Sequence, residues 1–198
     1  MSNLRLRLAI AQIGFKPGRK KSLKILLDLA DLDGSNWKKR SERTWRVGWL
    51  DSNHERASRA RKQKCIAAWR FFVEKNRQQV FWVQLSPCAS IEDAEAGVIH
   101  SRSNYLPNKR RKLRIKVDED IVGASIEGID NLLVFEQKTE NTSGLSNCKA
   151  VIWNIDRFVL MAYCAGTNDG WLWNDVYLIV QLQNEKALSY LKITDPQS

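Results

Sequence analysis

VDEDIVGASIEGIDNLLVFEQK, residues 117–138, is the stretch on which the reading of the fold turns. Two apolar arms, 121–126 and 131–135, flank a Glu-Gly and Asp-Asn turn region, which is the pattern of a β-hairpin. Side chains alternate along a strand, so Glu136 and Lys138 share one face while Phe135 and Gln137 share the other. If the chain reverses about Gly128, Asp120 lies across from Glu136 and Asp118 across from Lys138, with opposed Cβ atoms roughly 5 Å apart. Other turn centres shift that register. In the Gly128 register, two carboxylates and an ammonium group converge.

Such a patch suits metal-assisted hydrolysis of a phosphodiester. Asp120 and Glu136 would hold a hard divalent cation, Mg²⁺, through oxygen ligands. The cation would polarise the phosphoryl oxygen and acidify a bound water, and Lys138 would position that water. Asp118 is the alternative first acid, and Glu55 or Glu74 could add a further carboxylate.

An acid, a hairpin-length gap and then Glu136-Gln137-Lys138 closing an apolar strand resembles the PD-(D/E)XK nuclease superfamily, whose folds are restriction-endonuclease-like. The resemblance implies a core of strand, strand, helix and strand after the acid. It also implies a Mg²⁺-dependent endonuclease acting on DNA. Asp120, Glu136 and Lys138 take the catalytic positions, and Asp120 and Glu136 are the metal ligands.

The charge distribution points toward a polyanion. The chain has 198 residues and a net charge of +10. Residues 1–64 hold seventeen Lys and Arg against six acids, so the excess is concentrated in that part. Arg19, Lys20 and Lys21 precede an apolar helical run, 23–32. In SNWKKRSERTWRVGW, Trp37, Trp45 and Trp49 are interleaved with Lys38, Lys39, Arg40, Arg43 and Arg46. Arg59 and Lys62 lie in a helix expected over 52–75, opened by a Ser52/Glu55 capping box. Arg110, Arg111 and Lys112 stand in a basic loop before the hairpin. These residues would track the phosphates of nucleic acid, DNA being the expected partner. The rival reading is a non-catalytic nucleic-acid-binding accessory protein of a larger complex, and a homodimer is left open.

The fold expected is α/β, a mixed sheet flanked by helices with a restriction-endonuclease-like core and a basic N-terminal region. The chain reads as a single domain, 1–198, with strand, helix and arm in 1–52 and the nuclease core in 53–198. Leu4–Leu8 alternates as a strand, and Val80–Leu85 reads as a short buried one. A turn of helix is expected over 90–96. Val151, Ile152, Ile155, Phe158, Val159 and Ala162 recur at helical spacing, which predicts a helix from Asn147 to about Ala165. VYLIVQL, 176–182, reads as a buried strand.

No apolar run reaches the ~20 residues of a membrane span. The opening residues are too short and alternating for a signal peptide, so a cytoplasmic setting is the expectation. The four cysteines form no C-x-x-C pair. They read as reduced, with Cys148 and Cys164 packed on a helix and a disulfide left open.

Overall fold

The computed structural model describes residues 19–32, 36–46, 55, 58–60, 65–75, 79–104, 114–141, 144–167 and 170–193. Seven strands form one sheet: β1 (Trp37–Arg46), β2 (Ile66–Glu74), β3 (Gln79–Pro87), β4 (Arg114–Asp120), β5 (Leu132–Asn141), β6 (Gly144–Ile155) and β7 (Phe158–Thr167). Their spatial order is β1-β2-β3-β7-β6-β5-β4. Every neighbouring pair is antiparallel, so the sheet is antiparallel rather than mixed. Against it among the described residues lie α1 (Arg19–Ile25), α2 (Ile91–Asn104) and α3 (Trp173–Ile193), with a 3-10 turn at Leu29–Asp31 and helical residues at 55 and 58–60. The architecture is therefore α/β with helices against a sheet, while the strand, strand, helix, strand order expected after the acid is not found among the described residues, where β4 to β7 run on before α3.

Strands β1–β3 make one meander and β4–β7 a second. The meanders join through β3 and β7, from Gln79 opposite Gly166 to Pro87 opposite Phe158. The connection that carries α2 runs from this central seam to the far edge at β4.

The seam strands show why the sequence reads as it does. In β3, Phe81, Val83 and Leu85 are buried and alternate with half-buried residues. β7 is buried on both faces along Phe158–Ala162, because α3 packs on one side and α2 on the other. Its continuous apolar run has no period-2 signal to offer.

Two apolar clusters result. On the α3 face, Phe72 and Phe81 stack with centroids 4.6 Å apart, and Trp37 meets Phe81 edge-on at 4.8 Å. Val176, Ile179, Val180, Ala187 and Leu191 of α3 recur at helical spacing and close over them. On the opposite face, Ala94 and Val98 of α2 cover Phe135, Ala150, Ile152 and Met161.

Residues 25–28 are held from two sides. Gln183 of α3 is fully buried; its amide donates to the Ile25 carbonyl at 2.8 Å and accepts from the Leu27 N–H at 2.9 Å. Arg70 of β2 donates to the Leu26 and Leu27 carbonyls at 3.0 and 2.9 Å. It also reaches Glu42 at 3.0 Å and Asp28 at 3.4 Å. A segment outside regular structure thus keeps its buried polar groups paired.

Several elements differ from the sequence expectation. The helix expected over 147–165 is the β6–β7 hairpin, which reverses at Asp156-Arg157 with Asp156 at φ +50°. Asp tolerates that left-handed conformation, and a two-residue loop needs it. VYLIVQL lies inside α3. Of the helix expected over 52–75, Ile66–Glu74 is strand β2, and Glu55 and 58–60 are helical. The basic tryptophan segment supplies edge strand β1. Strand 80–85 is found, and the turn at 90–96 extends to helix α2. Leu4–Leu8 lies outside the described residues. Cys148 and Cys164 are on strands, and all four cysteines are thiols. No described helix is long and apolar enough to cross a membrane.

Candidate functional site

The hairpin arms do pair antiparallel as β4 and β5, but one residue away from the register expected. Glu119, not Asp120, stands opposite Glu136; Asp120 stands opposite Phe135 and Asp118 opposite Gln137. A slip of one residue moves every side chain to the other face of a sheet. Asp120 therefore lies on the α2 side with Phe135, and Glu136 on the α3 side. The cause is the turn itself: Ile126 and Ile129 pair across a two-residue loop, Glu127-Gly128, with the Ile129 N–H donating to the Ile126 carbonyl at 3.1 Å, so the chain reverses between Glu127 and Gly128 rather than on Gly128. Gly123 and Gly128 both adopt left-handed φ, at 79° and 77°. Ile126 and Ile129, on either side of that loop, pack into the core. The two carboxylates expected to share a cation thus do not face one another. Among the described residues no three Asp, Glu, His or Cys side chains gather to hold a metal ion.

Glu136 and Lys138 do share a face, with Lys138 Nζ 3.6 Å from Glu136 Oε1. On the other side Glu136 meets Lys149 Nζ at 3.7 Å. Lys149 is 6% exposed, donates to the Trp171 carbonyl at 2.8 Å and lies 5.6 Å from the Trp173 ring centroid. Two ammonium groups on one carboxylate, one of them buried under the start of α3, make a structural ion cluster. Glu136→Gln is expected to lower stability by only about 1 kcal/mol, because it also relieves the like charge of Glu119 across the strand. Urea denaturation of the two proteins measures this; a loss above about 3 kcal/mol would mean that Lys149 depends on this carboxylate alone.

The basic residues are dispersed. Arg19, Lys20 and Lys21 are exposed on α1, and Lys38, Lys39, Arg40 and Arg43 are exposed on β1. Lys39 points to the α3 face and pairs with Glu42 at 3.3 Å and Asp28 at 3.5 Å. Arg59 is engaged by Asp93 at the start of α2, with Nε 3.0 Å from Oδ2. Lys62, Arg110, Arg111 and Lys112 lie outside the described residues. Charge along β1 is what an open sheet edge carries to discourage indiscriminate strand pairing.

A different surface stands out, on the α2 side of the sheet beyond the reach of α2. Trp69 and Phe71 of β2 and Trp82 of β3 lie side by side there, with Tyr163 of β7 at their end. Trp69 and Phe71 have centroids 6.0 Å apart, Phe71 and Trp82 6.2 Å, and Trp82 stacks on Tyr163 at 3.9 Å. The register puts Ser41, Phe71, Trp82 and Tyr163 in one row and Arg43, Trp69, Gln84 and Met161 in the next. A concavity of about 500 Å³ opens over Arg43, Trp69, Phe71, Trp82 and Gln84, lined also by Trp45 and Thr44. The rings are half-buried, and Arg43 and Lys38 supply an exposed basic rim on the same face. Sequence reasoning missed this shelf because it placed Trp69 on a helix. The alternation of IAAWRFFVE, small or aromatic on one face and Ala68, Arg70 and Phe72 on the other, was the available signal.

Among solved structures, the chain is similar to the extracellular domain of PknH from Mycobacterium tuberculosis. Identity is 11% and the TM-score 0.55, over 91% of this chain and 100% of that one. It is also similar, at 8% identity and a TM-score of 0.42, to an uncharacterised protein of Mycobacterium smegmatis, an Rv0999 ortholog, over 78% of this chain and 90% of that one. No protein-family model and no curated protein matches the chain. The likeness to the PknH domain is one of fold, and that fold is described for an extracellular domain rather than for a nuclease. The resemblance to PD-(D/E)XK nucleases is thereby overturned, and with it the Mg²⁺-dependent endonuclease and DNA-binding reading. A short acid-and-lysine signature on a hairpin was matched by charge spacing alone, in a sheet of different topology.

Proposed function

We propose that this chain is a non-catalytic recognition module that takes an acidic, extended polypeptide segment on the aromatic shelf. The observation that carries the reading is the aromatic group Trp69, Phe71, Trp82 and Tyr163, half-buried on the sheet face, with Trp82 and Tyr163 abutting the cluster under α2 and Trp69 and Phe71 lying beyond it. Indole and phenol rings beside an arginine are the side chains that most often dominate binding energy at protein interfaces. A concavity of about 500 Å³ accommodates one or two anchoring side chains.

The shelf runs to β1, an edge strand of the sheet. A segment laid along that edge gains main-chain hydrogen bonds and can drop alternate side chains onto the rings. Exposed Lys38, Arg40, Arg43 and Arg46 on β1, with a net charge of +10, favour acids between those anchors. A fold that another protein carries as its extracellular domain is consistent with a recognition role.

The test is a set of short synthetic peptides with an aromatic or leucine anchor flanked by Asp and Glu. Matched peptides replace the acids, or the anchors, with Ser. Tryptophan fluorescence is expected to report binding of the first set, weakening as salt rises. Trp82→Ala is expected to weaken binding about 30-fold, and Arg43→Ser to flatten the salt dependence. Acidic and Ser-substituted peptides binding alike would sink the proposal, as would a folded Trp82→Ala protein that binds normally. So would displacement of the peptides by a single-stranded oligonucleotide of higher affinity.

A further inference from the structure

Cys65 directly precedes β2 and Cys88 directly follows β3. In the ladder between these strands Ala68 stands opposite Leu85 and Trp69 opposite Gln84. Carried outward in the same register, the pairing sets Cys65 opposite Cys88. The coordinates agree: Cys65 Sγ lies 4.0 Å from the Cys88 carbonyl oxygen. Opposed residues of an antiparallel pair have Cα atoms about 4.5–5.5 Å apart, within the ~4.4–6.8 Å that a disulfide spans. Both positions fall on the α2 face, Cys65 in line with Ala67 and Trp69, and Cys88 against the cluster beneath α2.

The other two cysteines lack this relation. Cys148 stands opposite Ala165 and Cys164 opposite Lys149, so the offset of one residue sends their side chains to opposite faces. Burial raises both of those thiols above their ordinary values, which weakens them as nucleophiles.

We infer that Cys65 and Cys88 form an oxidative cross-linking site, closed by a low-molecular-weight disulfide such as oxidised glutathione. Cys88 is half-buried and Cys65 only 5% exposed, so Cys88 reacts first. Its thiolate attacks one sulfur of the oxidant, forming a mixed disulfide and releasing one molecule of glutathione. The Cys65 thiolate then attacks the Cys88 sulfur and displaces the second. The protein loses two protons and two electrons; the oxidant's S–S bond takes up both electrons and becomes two thiols, which carry the protons away. The bridge would tie the start of β2 to the chain leaving β3. At the start of β2 the Cys65 N–H meets the Ala60 carbonyl at 3.2 Å, and beyond β3 Ser90 Oγ accepts from the Asp93 N–H at 3.1 Å. This is the end of the sheet beside Trp45, so the link would fix one end of the aromatic shelf. The inference rests on the register and stands whether or not the shelf binds a peptide.

The experiment exposes the reduced full chain, natively folded, to oxidised glutathione. Intact mass spectrometry and non-reducing peptide mapping follow. A loss of two hydrogen masses is expected, with a linked peptide pair containing residues 65 and 88, reversed by dithiothreitol. The thermal midpoint should rise by about 5–10 °C. Cys65→Ser should stop at a glutathione adduct on Cys88 with no such rise. A wild-type protein that ends as a glutathione adduct, stays unmodified, or links Cys148 or Cys164 instead would overturn the assignment. Mapping of the wild type decides the matter even if a serine variant fails to fold.

Discussion

Trp153→Ala is expected to remove about 3–5 kcal/mol of stability, seen as a lower urea midpoint at an unchanged slope. Trp153 sits on β6 under α3 with no exposed surface, and it is the largest of the fully buried side chains. Truncation empties the space of an indole between two elements that meet there, and the sheet cannot collapse to refill it. The indole also donates to Asn184 Oδ1 at 3.1 Å, so the change strands a buried amide. Trp153→Phe separates the two effects: it keeps most of the volume and leaves Asn184 without its donor, at a cost of about 1–3 kcal/mol. A loss below about 1 kcal/mol for the alanine variant would show that α3 does not seal this face.

Arg70→Met is expected to cost about 2–3 kcal/mol at neutral pH and to alter the pH dependence of stability. The guanidinium satisfies two buried carbonyls and faces the carboxylates of Asp28 and Glu42. Burial pushes both carboxyls up, but the opposing influences win. For Asp28 these are the hydrogen bond from the Leu29 N–H and then the charges of Arg70 and Lys39; for Glu42 they are the hydrogen bonds from Arg70 and Lys39. Both folded carboxyls are held below their ordinary values, so they bind protons less readily than in the unfolded chain. The stability they contribute is complete above the ordinary carboxylate range near pH 4 and drains away as pH falls through the lower folded values. Wild type should therefore weaken below about pH 5, and Arg70→Met should lose less over the same interval. Equal acid sensitivity in the two proteins would place its origin elsewhere.

Strand β3 and the β4–β5 pair were legible in the sequence, whereas β1 and β2, though each has a face toward water, were not. QVFWVQL alternates, and 117–138 carries hairpin composition, although the paired strands Arg114–Asp120 and Leu132–Asn141 reach beyond the apolar arms 121–126 and 131–135. Glu136 and Lys138 were correctly placed on one face because that follows from alternation within one strand. Asp120 was not, because its face depends on whether the loop holds an odd or an even number of residues, and a reversal centred on Gly128 differs by one residue from the two-residue Glu127-Gly128 loop that forms. The β6–β7 hairpin was read as a helix for a related reason. Strands buried on both faces have lost the alternation that identifies them, and their remaining apolar residues fall at helical spacing by accident. Ile155-Asp156-Arg157-Phe158, a left-handed Asp between β-branched and aromatic runs, was the one local signal of reversal. α3 was misread in the opposite sense. Val176, Ile179 and Val180 resemble strand residues until Gln183, Ala187 and Leu191 extend their spacing beyond the length of a strand.

The seam between β3 and β7 has a consequence for how the molecule comes apart. The cluster beneath α3 draws on both meanders, with Phe72, Phe81 and Val83 from one and Val151, Trp153 and Leu160 from the other. Neither ribbon can peel away without stripping the shared cover from its neighbour. Heat should therefore melt the two meanders together, as one calorimetric event and not two.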